Sequence, residues 1–154
     1  INQTVNNALI FGLGCGNAAK IIAQKWPAAK IIGVEIDPEI ISLGKKYFAL
    51  DKIPLLKIVQ KDAYLFSNRE KFNLIIVDIY CGGNYPEKFS GKKFLTTCQK
   101  LLLNNGLIIF NQQTFGKFKL TTKEFGQNLE KYFELVLKKK TEYNSLFIMG
   151  QRHA

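Results

Sequence analysis

Residues 8–18 read ALIFGLGCGNA. Four apolar residues, Ala8, Leu9, Ile10 and Phe11, run straight into Gly12-Leu13-Gly14-Cys15-Gly16. A short, wholly apolar run closed by glycine predicts a parallel strand buried on both faces. After the loop, Ala18, Ile21 and Ile22 recur at helical spacing, so residues 17–25 predict a helix. Strand, glycine turn and helix in that order open an α/β unit, and the rest of the chain repeats its rhythm.

Strands are predicted over 30–35, 55–60, 73–78 and 107–111. The helix after the second strand starts at Asp37-Pro38, with Asp as cap and Pro in the first turn. A further helix over 94–103 stops at Asn104-Asn105-Gly106, and another spans 122–131. Two closing strands, 133–139 and 145–150, lack a long crossover and read as a hairpin. The expected architecture is a Rossmann-like, seven-stranded, mostly parallel sheet with the last strand antiparallel and helices on both faces. Residues 1–154 are read as one domain.

In such a sheet a ligand sits beyond the carboxyl ends of the strands, where the strand order reverses beside strand one. That gathers 12–16, 35–37, 62–63 and 78–83 into one crevice. Gly12, Gly14 and Gly16 permit a tight turn and close backbone approach, with Leu13 and Cys15 between them. The spacing is G-x-G-x-G, not the G-x-G-x-x-G of dinucleotide sites, which places an NAD-dependent oxidoreductase behind an adenosyl ligand with a methionine-type tail. Glu35, followed by Ile36, ends strand two, where two acceptor oxygens and no donor suit a pair of ribose hydroxyls. Asp62-Ala63 follows strand three; its carboxylate can accept from an adenine amino group, or cap the turn through Phe66. Asp78 closes strand four, where a buried acid suits a cationic ligand group or a proton-transfer task, or is satisfied by loop backbone N–H groups. Tyr80 is the second catalytic candidate.

Composition bounds the partners. Hydrophobic residues at 47% and charged residues at 22% describe an ordinary globular chain. No apolar run reaches the roughly 18–20 residues of a membrane span, and no signal-peptide pattern opens the sequence. Cys15, Cys81 and Cys98 are widely spaced and His153 is the one histidine, so neither a Cys/His metal site nor a disulfide framework is expected; a reducing cytoplasm is. The first residue is Ile1, which leaves a preceding segment open. The net charge of +10 is densest at Lys138, Lys139 and Lys140. Most of it reads as solvated lysine surface; nucleic acid is left open on charge alone, without a motif. A homodimer is also left open. Trp26 and Met149 read as packing, and Phe115, Phe118, Phe125, Tyr132 and Phe133 as core more readily than cleft lining.

Over about two-thirds of its length the chain resembles the spermidine synthase (polyamine aminopropyltransferase) family, which shares the class I S-adenosylmethionine-dependent methyltransferase fold. The carriers are LIFGLGCGNAAKII (9–22), VEIDPEII (34–41), KDAYLF (61–66), FNLIIVDIYCGG (72–83), PEKF (86–89), GKKFL (91–95) and LLNNGLIIFN (102–111). The resemblance implies ribose binding by Glu35, adenine binding by Asp62, and at Asp78 the acid that orients and deprotonates the attacking amine. Family members carry further acids where this chain has Cys15 and Cys81, and an N-terminal β-rich domain without counterpart here. Two lost carboxylates and a +10 charge both disfavour a polycationic substrate. The expectation from sequence is therefore an S-adenosylmethionine-dependent methyltransferase acting on an unnamed small molecule, with no metal. Aminopropyl transfer from decarboxylated S-adenosylmethionine is the first alternative, and an inactive cofactor-binding module the second.

Overall fold

A computed structural model describes residues 3–82, 84–113 and 121–152 of the 154-residue chain. Gly83, Phe115, Phe118 and His153 lie outside the described residues. The strands are β1 (Asn7–Phe11), β2 (Lys30–Glu35), β3 (Leu56–Gln60), β4 (Phe72–Val77), β5 (Leu102–Gln113), β6 (Phe133–Lys140) and β7 (Asn144–Gln151). The helices are α1 (Asn17–Lys25), α2 (Pro38–Phe48), α3 (Lys92–Leu101) and α4 (Thr122–Leu129). They form one seven-stranded sheet in the order β3-β2-β1-β4-β5-β7-β6, with β7 antiparallel to both neighbours and the pairs from β3 to β5 parallel. The Rossmann-like class expected from the alternation is the one observed.

β1 lies between β2 and β4, and its residues Ala8 to Phe11 are fully buried. Alternation splits them between two layers. Leu9 and Phe11 join Ile75, Val77, Ile108, Phe110 and the α3–α4 side chains Phe94, Cys98 and Phe125. Ala8 and Ile10 join Leu74 and the α1 side chains Ala19 and Ile22. A strand apolar on both sides has no stable place except the middle of a covered sheet. Phe125 and Phe133 belong to the first layer and Tyr132 packs on it, so these aromatics build core. Met149 is buried in the same layer, and Trp26 donates its indole N–H to the Gln3 carbonyl at 3.1 Å.

Asp37 caps α2 as its sequence predicts, accepting from the Glu39 and Ile40 amides at 2.8 and 3.4 Å, with Pro38 in the first turn. The boundary between α3 and β5 differs most from expectation. Asn104-Asn105-Gly106 does not stop a helix: α3 ends at Leu101, and those residues lie within β5, where its register on β4 shifts. Gly106 is required by crowding instead, since a Cβ there would lie 2.9 Å from the Leu103 carbonyl oxygen and 3.0 Å from that of Phe72.

The lysine run lies on β6, an edge strand on which only Phe133 is buried. Exposed lysines and the register shift between Leu135 and Leu137 disfavour pairing of that edge with another strand. Among the described residues no helix is long and apolar enough to cross a membrane.

Gly12 positions the crevice. Its φ is +84°, and an added Cβ would lie 2.1 Å from the Asp78 carbonyl oxygen. The glycine loop and the tip of β4 thus touch backbone to backbone. Gly12→Ala is expected to cost on the order of 3 kcal/mol, combining a left-handed backbone with a clash that no rotamer relieves. Urea unfolding checks this; a loss below about 1 kcal/mol would show that the contact relaxes freely.

Candidate adenosyl-ligand and amine site

The strand order reverses beside β1, so the carboxyl ends of β2, β3 and β4 stand on either side of the loop that follows β1. That loop is Gly12-Leu13-Gly14-Cys15-Gly16. Gly12, Gly14 and Gly16 all have positive φ, at 84°, 53° and 92°. A Cβ on Gly14 would meet nothing within 4 Å, so the loop has open space above it. Leu13 turns inward and is buried, and Cys15 is a half-buried free thiol. α1 begins directly after Gly16 without a side-chain cap, leaving first-turn amides to polar partners outside the helix.

Glu35 extends from the tip of β2 over this loop. One carboxylate oxygen accepts from the Gly14 amide at 2.9 Å; the other accepts from Ile36 and Asp37 at 2.9 and 3.1 Å. Three N–H groups thereby fix the carboxylate's orientation and use most of its roughly four acceptor positions. One position remains for a hydroxyl, with a second available if Gly14 moves. Ile36, 61% exposed, presents an apolar side chain beside it, as a flat base requires.

Asp62 ends the segment after β3 and serves two partners. Its Oδ1 accepts from the Tyr64 amide at 2.9 Å, capping the short 3-10 turn Ala63–Leu65. Its Oδ2 pairs with Lys88 Nζ at 2.7 Å. Burial pushes this carboxyl upward, but the Lys88 and Tyr64 hydrogen bonds and the Lys88 charge outweigh it and hold the pKa below the ordinary value. An incoming amino group must share Oδ2 with Lys88, an exposed ion pair worth about 0–1 kcal/mol. Ala63 is buried beneath the turn.

Asp78 follows β4, beside the glycine loop. Asn111 Nδ2 donates to its Oδ1 at 2.8 Å. Burial raises the Asp78 pKa, and the Asn111 hydrogen bond only partly opposes it. Tyr80 points to the same strand: its hydroxyl donates to the Asn111 carbonyl at 2.6 Å and accepts from the Gln113 amide at 3.0 Å. Burial first, and the Asp78 charge second, keep the phenol protonated. Its one proton is already committed to Asn111. Cys81 is exposed, in a tight turn closed by two backbone hydrogen bonds with Asn84.

The structure therefore sets Gly14 against Glu35 and Gly12 against Asp78 at the carboxyl ends of neighbouring strands, and adds two residues that sequence reasoning left out. Asn111 carried a usable signal, a polar residue ending an apolar strand beside β4. Lys88 carried none, being 26 residues from its partner. Among the described residues, no cluster of His, Cys, Asp and Glu could hold a metal ion.

The spermine/spermidine synthase domain model matches residues 2–148. A probable polyamine aminopropyl transferase from Bifidobacterium longum is 33% identical over 111 residues, covering 71% of this chain and 24% of the relative. A polyamine aminopropyltransferase from Vibrio vulnificus is 28% identical over 124 residues, covering 77% and 41% respectively. The chain thus spans between a quarter and a half of these relatives' length. Human methyltransferase-like protein 13, solved with SAH, superposes with a TM-score of 0.79 at 20% identity over 97% of this chain and 73% of that one. The ribosomal protein L11 methylase of Lactobacillus delbrueckii subsp. bulgaricus gives 0.74 at 21% identity, covering 99% and 72%. At that identity the two structures show the fold alone.

These relatives overturn the methyltransferase expectation. It rested on the uncharged Cys15 and Cys81 and on the +10 charge, and both of these relatives carry the aminopropyltransferase name nonetheless. A glycine loop, an acid after β2 and an acid after β3 suit an adenosyl group whichever group is transferred, so reading them that way could not separate the two reactions. The chain belongs to the spermine/spermidine synthase domain family, built on the class I methyltransferase fold.

Proposed function

We propose that this chain binds an adenosyl sulfonium donor, decarboxylated S-adenosylmethionine, and directs its aminopropyl group to an amine held at Asp78. The residues present fit such a ligand. Gly12–Gly16 leave space for the sulfur-bearing tail above Gly14; Glu35 offers an acceptor to the ribose, Ile36 an apolar face to the base, and Asp62 an acceptor at its edge. When bound, the sulfonium supplies the electrophilic carbon and a neutral thioether leaving group.

The protein's part is alignment and one proton. Asp78 supports this reading most directly: a largely buried carboxylate at the tip of β4, adjoining the glycine loop, with Oδ1 occupied by Asn111 and no bond to Oδ2 among the described residues. Oδ2 can accept from an ammonium and take its proton, freeing the nitrogen lone pair that then attacks the carbon as the thioether leaves. Its raised pKa makes Asp78 a better base than an ordinary aspartate. Tyr80 serves poorly in that role, since its phenol is held protonated and engaged. With cysteines at 15 and 81, the amine pocket has one carboxylate from these positions, which suits an acceptor of low charge such as a monoamine or short diamine.

A thermal-shift panel tests the donor. At about 100 times its dissociation constant a ligand adds roughly 2.7 kcal/mol, or about 5–10 °C for a domain of this size. Decarboxylated S-adenosylmethionine and methylthioadenosine are expected to give such shifts, with carboxylate-bearing S-adenosylmethionine weaker because its carboxylate approaches Asp78. Stabilisation by S-adenosylmethionine alone would contradict the proposal.

A further inference from the structure

β4 ends at Val77, which pairs with Phe110, whereas β5 continues for three residues to Gln113. Asn111 and Gln113 therefore extend past their neighbour, and a peptide unit of β4 that would bond them is missing. Tyr80 fills its place. Its hydroxyl donates to the Asn111 carbonyl at 2.6 Å and accepts the Gln113 amide at 3.0 Å, one donor and one acceptor as a continuing strand would supply. Two residues before Tyr80, Asp78 faces the same strand and receives the Asn111 side-chain amide at 2.8 Å. Among the described residues the buried Asn111 Oδ1 has no hydrogen-bond partner, so the amide is held by Asp78 at one end and by its own clamped backbone.

We infer that Tyr80 is a positioning residue for the proposed transfer: its hydroxyl fixes the Asn111 backbone, and Asn111 in turn orients the Asp78 carboxylate with Oδ2 toward the amine. This rests on the aminopropyl-transfer reading for its chemistry, but the clamp itself is a property of the free protein. The Asp78 charge, after burial, helps keep the Tyr80 phenol protonated, and burial is the main influence on the Asp78 carboxyl, opposed by the Asn111 hydrogen bond. Without the Asn111 donor the ionised form loses its hydrogen bond, so Asp78 retains its proton to higher pH.

The test uses Tyr80→Phe, Asn111→Ala and the double variant in the full chain. Phenylalanine keeps the ring that packs edge-on against Tyr85 at 6.2 Å between centroids, so folding should survive. The Asp78 carboxyl is titrated by carbon-13 NMR without ligand, and methylthioadenosine release is followed against pH. Both single variants are expected to move the Asp78 titration and the acid limb of the rate to higher pH. The rate should fall roughly 10- to 100-fold, the scale of a misplaced catalytic group, with the donor KM unchanged. The double variant should be no worse than Asn111→Ala, because Tyr80 acts through Asn111. An unmoved Asp78 titration in Tyr80→Phe, or losses that multiply in the double variant, would overturn the inference. Shifted titrations in a protein whose wild type transfers nothing would instead uphold the clamp and remove the transferase reading.

Discussion

Asp78→Asn should lower the proposed aminopropyl transfer by roughly 10²- to 10⁴-fold, the usual range for a positioned proton acceptor, while making the protein more stable at neutral pH. The two effects share one cause. Burial raises the Asp78 pKa above its unfolded value of 3.8, so the native state favours the protonated acid. The stability from this group is fully present below the unfolded pKa and is lost as pH rises through the native one. At neutral pH the native protein therefore carries the cost of a largely buried charge. Asparagine keeps an oxygen for Asn111 Nδ2 and carries no charge. A gain of about 1 kcal/mol, or a few degrees in Tm, is expected at pH 7, shrinking toward pH 4. Calorimetry across pH checks this; a variant equally destabilised at both values would mean that Asp78 is a structural acid.

Glu35→Ala should have the largest effect on ligand binding. The carboxylate accepts the amides of Gly14, Ile36 and Asp37, tying the glycine loop to the end of β2. Hydrogen bonds to a charged group contribute about 1.5–3 kcal/mol each, reduced here because Glu35 is half-exposed and water can replace some of them. A stability loss of about 2 kcal/mol is expected. Affinity for methylthioadenosine should fall at least 100-fold, on the order of 3 kcal/mol, through the lost ribose acceptor and the loosened Gly14. Glu35→Gln separates the two contributions, since its amide oxygen can still accept one loop N–H while the charge is gone. Isothermal titration checks both. Unchanged affinity in Glu35→Ala would move the ribose elsewhere.

What could be read from the sequence was what local chemistry determines. The ALIF run placed β1 in the middle of the sheet because residues apolar on both sides are stable only there. Asp37-Pro38 specified the start of α2 because the cap and the fixed proline φ act within one turn. Glu35 was legible from its place at the end of a strand, two residues before that cap. The Asn104-Asn105-Gly106 step was misread because a glycine needed for close backbone approach looks the same as one ending a helix. Asn111 and Lys88 were missed for a different reason: their partners Asp78 and Asp62 lie 33 and 26 residues away, and only strand register and loop packing bring them together. Nearness to Asp78 makes Tyr80 a catalytic candidate in the sequence, and the bonds of its hydroxyl to β5 are visible only in the fold. The reaction class was hardest to read, because the candidate adenosyl-binding residues would serve either transfer and the cysteines at 15 and 81 pointed away from a polycationic substrate.

The most direct measurement is mass-spectrometric detection of methylthioadenosine together with the aminopropylated amine. The full chain would be incubated with decarboxylated S-adenosylmethionine and, in turn, a monoamine, putrescine and spermidine. Formation of the two products in equal amounts, dependent on Asp78 and fastest with an acceptor of low charge, is the result expected here. No product from any amine, while S-adenosylmethionine yields S-adenosylhomocysteine, would contradict the account at its centre.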